Sequence, residues 1–260
     1  MKYAANKHGF LHNFRKLSAK PHMATTKGDQ DLVKLLLERW NDPECGLDKA
    51  TEIQYDVFLS FPDPKKPNRV AVGEYGSGED RAVIGKVLWG QCSLATFPLP
   101  GREDCLNSPF MGCHHGKLVY ANQGRMSDYE FLLNQSIDLN GTIAITRYGG
   151  AGRVAKAING AKFGVIGVVV YTDPADINDG KSSPEETYPH SWYMPRSGVE
   201  RGSFKTGFGD LLTPYFPAKR KRRRKEGISG ISTIPIQPIG FEDARELIWW
   251  VSNQTHRSPS

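Results

Sequence analysis

Gly150, Gly152 and Ala155 spell G-x-G-x-x-A directly after an apolar run, and Asp173 follows near the spacing of an acid that hydrogen-bonds a ribose. Dinucleotide binding is therefore the first chemistry these residues suggest. Arg153 falls in the first turn of the helix that the motif opens, where backbone N–H groups and the helix dipole favour an anion. Against the nucleotide reading, a doubly wound fold needs continued alternation of strands and helices. Pro174 to Gly240 is instead rich in Gly, Pro and Ser, with no second clear amphipathic helix. The competing reading is a glycine turn that closes a core unit.

Other reactive constellations are weaker. A hydrolytic zinc site takes about three N, O or S ligands plus water, and the histidines are scattered at His8, His12, His22, His114, His115, His190 and His256. His8 and His12 have helical i, i+4 spacing, but HGFLH lacks the glutamate of H-E-x-x-H and reads as a fortuitous pair. No G-x-S-x-G elbow is present, and the D-I-N-D-G run from Asp176 to Gly180 is out of phase with a calcium loop and has no suitably spaced final glutamate.

The residues around Arg153 are positioned by a βαβ unit. Thr142 to Tyr148 alternates β-branched residues, glycines at 149, 150 and 152 turn the chain, and Val154, Ala157, Ile158 and Ala161 share one helical face. Lys156, Asn159 and Lys162 are expected largely outside that face, and Val165 to Tyr171 returns as the second strand. Further helices are expected at about Asp29 to Trp40, with Leu32, Leu35 and Leu36 inward, and at about Phe241 to Trp250; a strand is expected at Tyr55 to Phe61.

The blocks YDVFLSFP, GKLVYAN, NGTIAITRYG, GVVVYTDPAD, SWYMPRSGVERGS, GDLLTPYFPA and IPIQPIGFEDARELI, in this order, resemble the glutamate carboxypeptidase II family. They look most like its N-acetylated-alpha-linked acidic dipeptidase-like branch; the family also includes the non-enzymatic transferrin receptors. KHGFLHNFRKLSAKPHMAT resembles its first helix and turn. The resemblance implies an α/β fold: a protease-associated domain, a mixed β-sheet flanked by helices, inserted in the start of a zinc-exopeptidase domain. Residues 1–64 would be the N-terminal segment of the peptidase domain and 65–260 the protease-associated domain, with Pro62 to Pro67 as hinge. In the family, the two zinc ions and the general-base glutamate use segments that follow the inserted domain. The chain is thus expected to be a truncated form, inactive alone, that binds neither zinc nor calcium well.

The same resemblance assigns positions. Arg153 aligns with the arginine that reaches a peptide's terminal carboxylate, a task suited to its two-pronged donor geometry; the competing reading is an ion pair within its own domain. Tyr193 stands where glutamate carboxypeptidase II has an asparagine facing the substrate, and Gly150 where it has a pocket lysine, which argues against a preference for acidic peptides. Tyr193 beside Trp192 also reads as packing. Thr213 and Phe216 match positions whose backbone carbonyls hold a structural calcium, but the carboxylates of that site are missing. Implied partners are a peptide substrate and, in the family, a second subunit. The rival expectation is an interaction module of transferrin-receptor type.

With 260 residues and 38% hydrophobic content the chain can bury one core and a small satellite. The net charge of +6 is concentrated in KRKRRRK at 219–225. A nuclear or nucleic-acid signal, a processing site and a solvated loop are all open for that run; the absence of interleaved aromatics favours the loop over nucleic acid. The family resemblance implies the extracellular side of a membrane, although the N-terminus has no apolar run near the roughly 20 residues that span a bilayer. Sequons at Asn134, Asn140 and Asn253 carry meaning in that compartment. Cys45, Cys92, Cys105 and Cys113 allow three pairings or none.

Overall fold

The structure is a computed structural model that describes residues 7–44, 46–57, 70–73, 80–84, 116–200, 202, 204–207, 210, 213, 216–217 and 231–254. The cysteines, the basic run, the Pro62 to Pro67 hinge and most of the expected strand at Tyr55 to Phe61 lie outside these residues. The described part of that strand, 55–57, has no regular structure. Contacts divide the chain into two compact units, Met1–Asp56 and Val57–Ser260.

The first unit contains α1 (Lys7–Ser18) and α2 (Lys27–Trp40). Asp29 in the first turn of α2 accepts the Thr25 N–H at 2.9 Å, placing a negative charge where the helix dipole favours it. Asn41 ends the helix; its Nδ2 donates to the Leu37 carbonyl at 2.9 Å and its Oδ1 accepts from Ala50 N at 3.0 Å. Leu32, Leu35 and Leu36 form a half-buried face, and no α2 residue is fully buried.

The second unit has an antiparallel pair, β1 (Val70–Gly73) and β2 (Asp80–Ile84), and a four-stranded sheet. That sheet contains β3 (Leu118–Tyr120), β4 (Ile143–Arg147), β5 (Gly167–Tyr171) and β6 (Ile236–Ile239) in the order β3-β4-β5-β6. It is parallel throughout, so antiparallel pairing is confined to β1 and β2 among the described strands. Side-chain alternation sorts two cores. Val119, Ala144, Val168, Val170 and Ile236 face a cluster with α3 (Met126–Asn134) and α4 (Arg153–Ala161); Ile145, Val169, Tyr171 and Ile239 pack with Ala244 and Leu247 of α6 (Phe241–Gln254). Every residue of β5 is buried, as befits a parallel strand covered on both faces. Pro238 is tolerated because β6 ends the strand order.

Among the described strands the order runs in one direction, with no topological switch point at which a dinucleotide crevice would open. Asp173, the candidate ribose acid, instead caps α5 (Pro174–Ile177) by accepting the Ala175 N–H at 2.9 Å. Gly152 is simply the N-cap residue that precedes α4.

A polar chain ties α3 to the ends of the strands. Asp128 Oδ2 accepts from Arg125 N at 2.9 Å and Gln123 N at 3.2 Å, and its Oδ1 accepts from Asn122 Nδ2 at 3.0 Å. Asn122 Oδ1 accepts from Arg147 Nε at 3.0 Å, and Arg147 Nη1 donates to both Asp176 oxygens at 2.6 and 2.8 Å. Asp128→Ala removes the acceptor of three donors at the start of a helix. It should lower the unfolding free energy by about 1–2 kcal/mol, measured by urea denaturation.

Candidate substrate cleft

The cleft forms where β4 and β5 end. After Arg147, the backbone turns through Gly149 and Gly150 with φ of 91° and 63°, a left-handed geometry open to glycine, and α4 starts at Arg153. The resulting opening has a volume of about 450 Å³. Tyr148, the 149–152 loop and Arg153 line one side, while Thr172, Ile177, Met194 and Glu200 close it. The Thr172 hydroxyl is buried without a hydrogen-bond partner among the described residues.

Arg153 Nε donates to Glu200 Oε1 at 2.8 Å, and Nη2 donates to the same oxygen. The hydrogen bond to Glu200 raises the already high guanidinium pKa. Gly202 makes the arrangement possible: a β-carbon there would collide with Arg153 Nε and Cζ. Gly150, at the position of the family's pocket lysine, is similarly confined. A β-carbon would meet Arg125 Nε and Gln123 Oε1, both at 2.5 Å, so a side chain there would push these two aside and strain the left-handed backbone.

Lys156 departs from the sequence expectation. It is fully buried rather than outside the packed face, because α4 is covered on two flanks, by the sheet and by the segment that leads into α3. Gly124 permits this: the stem of Lys156 runs against its Cα, and a β-carbon would lie 2.9 Å from Lys156 Cβ. Lys156 Nζ donates to the Gln123 carbonyl at 2.5 Å and the Gly149 carbonyl at 2.7 Å, joining the β3–α3 and β4–α4 loops. Burial is the main reason its pKa is lowered to about 8; Asp128 opposes that shift, and Arg125 and Arg147 add to it.

The other assigned residues lie elsewhere. Tyr193 is not among the residues lining the cleft, although its neighbour Met194 is. Its hydroxyl donates to Asp179 Oδ2 at 2.6 Å, Lys181 Nζ sits 4.7 Å from its ring centroid, and Trp192 packs at a tilted 5.2 Å. The bond to Asp179 raises its pKa.

The Thr213 carbonyl accepts the Phe216 N–H at 3.1 Å, so one of the two proposed calcium ligands already closes a turn. Among the described residues no group of three or more His, Cys, Asp or Glu side chains could hold a metal. Asn134 and Asn140 are exposed, and the Asn253 side chain lies outside the described residues.

Residues 111–206 match the PA domain, which defines the class: a protein bearing a protease-associated domain. Aminopeptidase NAALADL1 of Mus musculus is 50% identical over 247 residues, covering 91% of this chain and 32% of its own length. A glutamate carboxypeptidase 2 homolog of Caenorhabditis elegans is 27% identical over 243 residues, covering 88% of this chain and 30% of its own length. Transferrin receptor protein 2 of Rattus norvegicus is 28% identical over 236 residues, covering 90% of this chain and 26% of its own length. The chain thus carries a PA domain and is similar to members of the glutamate carboxypeptidase II family, consistent with the dipeptidase-like branch. It spans about a third or less of the length of these relatives. Among the described residues no helix is long and apolar enough to cross a membrane.

Proposed function

We propose that this chain is the substrate-facing, non-catalytic portion of a zinc-dependent exopeptidase of aminopeptidase, dipeptidyl-peptidase or carboxypeptidase type. Residues 1–64 then belong to the start of the peptidase domain and 65–260 to the protease-associated domain. The observation that carries the reading is the cleft itself: Arg153 at the start of α4, beside a glycine loop at the carboxyl ends of parallel strands. A peptide backbone offers acceptors to the guanidinium and apolar side chains to Ile177 and Met194. Tyr193 contributes to the substrate side from the neighbouring loop. Zinc and its chemistry belong to the remainder of a longer polypeptide, on the extracellular side of a membrane, where Asn134, Asn140 and Asn253 would carry glycans and homodimers would form.

The second reading is a non-enzymatic interaction module of transferrin-receptor type, which the match to a transferrin receptor favours. Two measurements test these readings, the first their shared lack of catalysis and the second the difference between them. The 260-residue chain supplied with zinc should release no product from aminoacyl, dipeptidyl or acidic dipeptide substrates; chelator-sensitive turnover would overturn the non-catalytic assignment. Arg153→Ala should weaken binding of short peptides about tenfold. Unchanged affinity would remove the substrate-facing role and leave the interaction module.

A further inference from the structure

We propose that Glu200 is a specificity-determining residue. It occupies Arg153 as an internal carboxylate, so that the cleft accepts uncharged peptide backbone in place of a free chain-terminal carboxylate. The inference rests on the substrate-facing reading of the cleft and adds what that surface selects.

Among the described residues, the charged side chains lining the cleft are Arg153 and Glu200, and they cancel. Both Nε and Nη2 of Arg153 point to one Glu200 oxygen, which consumes the edge of the guanidinium best shaped for a two-pronged carboxylate. The pair is built rather than incidental. Arg153 is fixed by the first turn of α4, Glu200 comes from 47 residues further along the chain, and the guanidinium lies over Gly202, where no other residue leaves room. An entering carboxylate must either displace Glu200, leaving that anion without its cation, or share the arginine against the repulsion of a like charge. A backbone amide meets neither obstacle. It can accept from the remaining guanidinium N–H groups and place its side chains against Ile177 and Met194. A peptide that continues beyond the cleft, or ends in a carboxamide, is therefore the ligand class that this pair fits.

The test compares N-acetyl-alanyl-alanine with its carboxamide, titrated into the 260-residue chain and followed by NMR at the backbone amide resonances of the 149–152 loop that lines the cleft. The wild type should bind the two probes within about threefold of each other, whereas Glu200→Gln should favour the free acid by about tenfold or more. Adding Arg153→Ala to Glu200→Gln should abolish that preference. Glu200→Ala serves as a second variant should Glu200→Gln fold poorly. An acid-to-amide ratio unchanged by either variant overturns the role of Glu200 alone, as does a wild type that already favours the acid tenfold. Failure of both probes to bind wild type and variants overturns this inference together with the substrate-facing reading.

Discussion

Raising the pH from 8 to 10 should add about 2 kcal/mol to the difference in unfolding free energy between the wild-type chain and Lys156→Met. Lys156 has a pKa of about 8 in the fold against an ordinary 10.5. Between those values the unfolded chain binds the proton that the folded chain has released, and stability rises with pH wherever the unfolded state binds more protons. The burial penalty on the charged lysine is thus fully present below pH 8 and is relieved as the pH climbs toward 10.5. Tyr129 and Tyr171 act in the opposite sense, because burial raises both phenols and holds them neutral in the fold. Their contribution is lost as the pH rises past 10, which sets the upper limit of the useful window. Methionine keeps an unbranched apolar stem and has nothing to titrate, so subtracting its curve cancels the other groups. Urea denaturation at pH 8, 9 and 10 measures the difference, and parallel curves would refute the buried charge. Lys156→Ala should in addition lose about 2–4 kcal/mol, since it empties the space of the stem and strips the donor from two carbonyls.

That lysine marks the boundary of what could be read from residue order. The βαβ unit was legible because its signals are local: β-branched alternation into β4, glycines where φ turns positive, small residues along one face of α4, and a wholly apolar β5. The helix expected from Phe241 to Trp250 was legible for the same reason, and runs on to Gln254. Lys156 was not, because a helical wheel assumes one buried face, whereas α4 is covered on a second flank by residues 121–125. A signal did exist in Gly124, a residue with no side chain where the chain enters a helix, but its partner is 32 positions away. The Arg153–Glu200 pair shows the same limit. Arg153 could be placed at a helix start by spacing, and an ion pair within its own domain was one of two open readings. Only the folded loop identifies Glu200 as the acid and Gly202 as the space that admits it. Parallel pairing of all four strands likewise depends on which neighbours each strand finds, and β-propensity carries no such information.

Gly160→Ala should destabilise the second unit by about 1–2 kcal/mol, although helix propensity alone predicts a gain of about 0.5–1 kcal/mol for the same change. Gly160 lies inside α4, and a β-carbon there would stand 2.9 Å from Tyr129 Oη, 3.1 Å from its Cζ and 3.3 Å from Val165 Cβ. The sign depends on whether Tyr129 can retreat. Its side chain is fully buried, its ring stacks on Phe163 with centroids 5.5 Å apart, and its hydroxyl donates to the Lys156 carbonyl at 3.0 Å. A ring held on one side by another aromatic and at its tip by α4 itself has nowhere to go, so α3 and α4 must separate, and overpacking of this kind costs about 1–3 kcal/mol. Tyr129→Phe deletes the nearest atom together with its hydrogen bond, at a cost of about 1 kcal/mol. The alanine should then be better tolerated, and the double variant should lose less than the sum of the singles by at least about 0.5 kcal/mol. Strict additivity would show that the α3–α4 interface yields freely. It would then hold α4 loosely, and with it the helix start that aims Arg153 into the cleft.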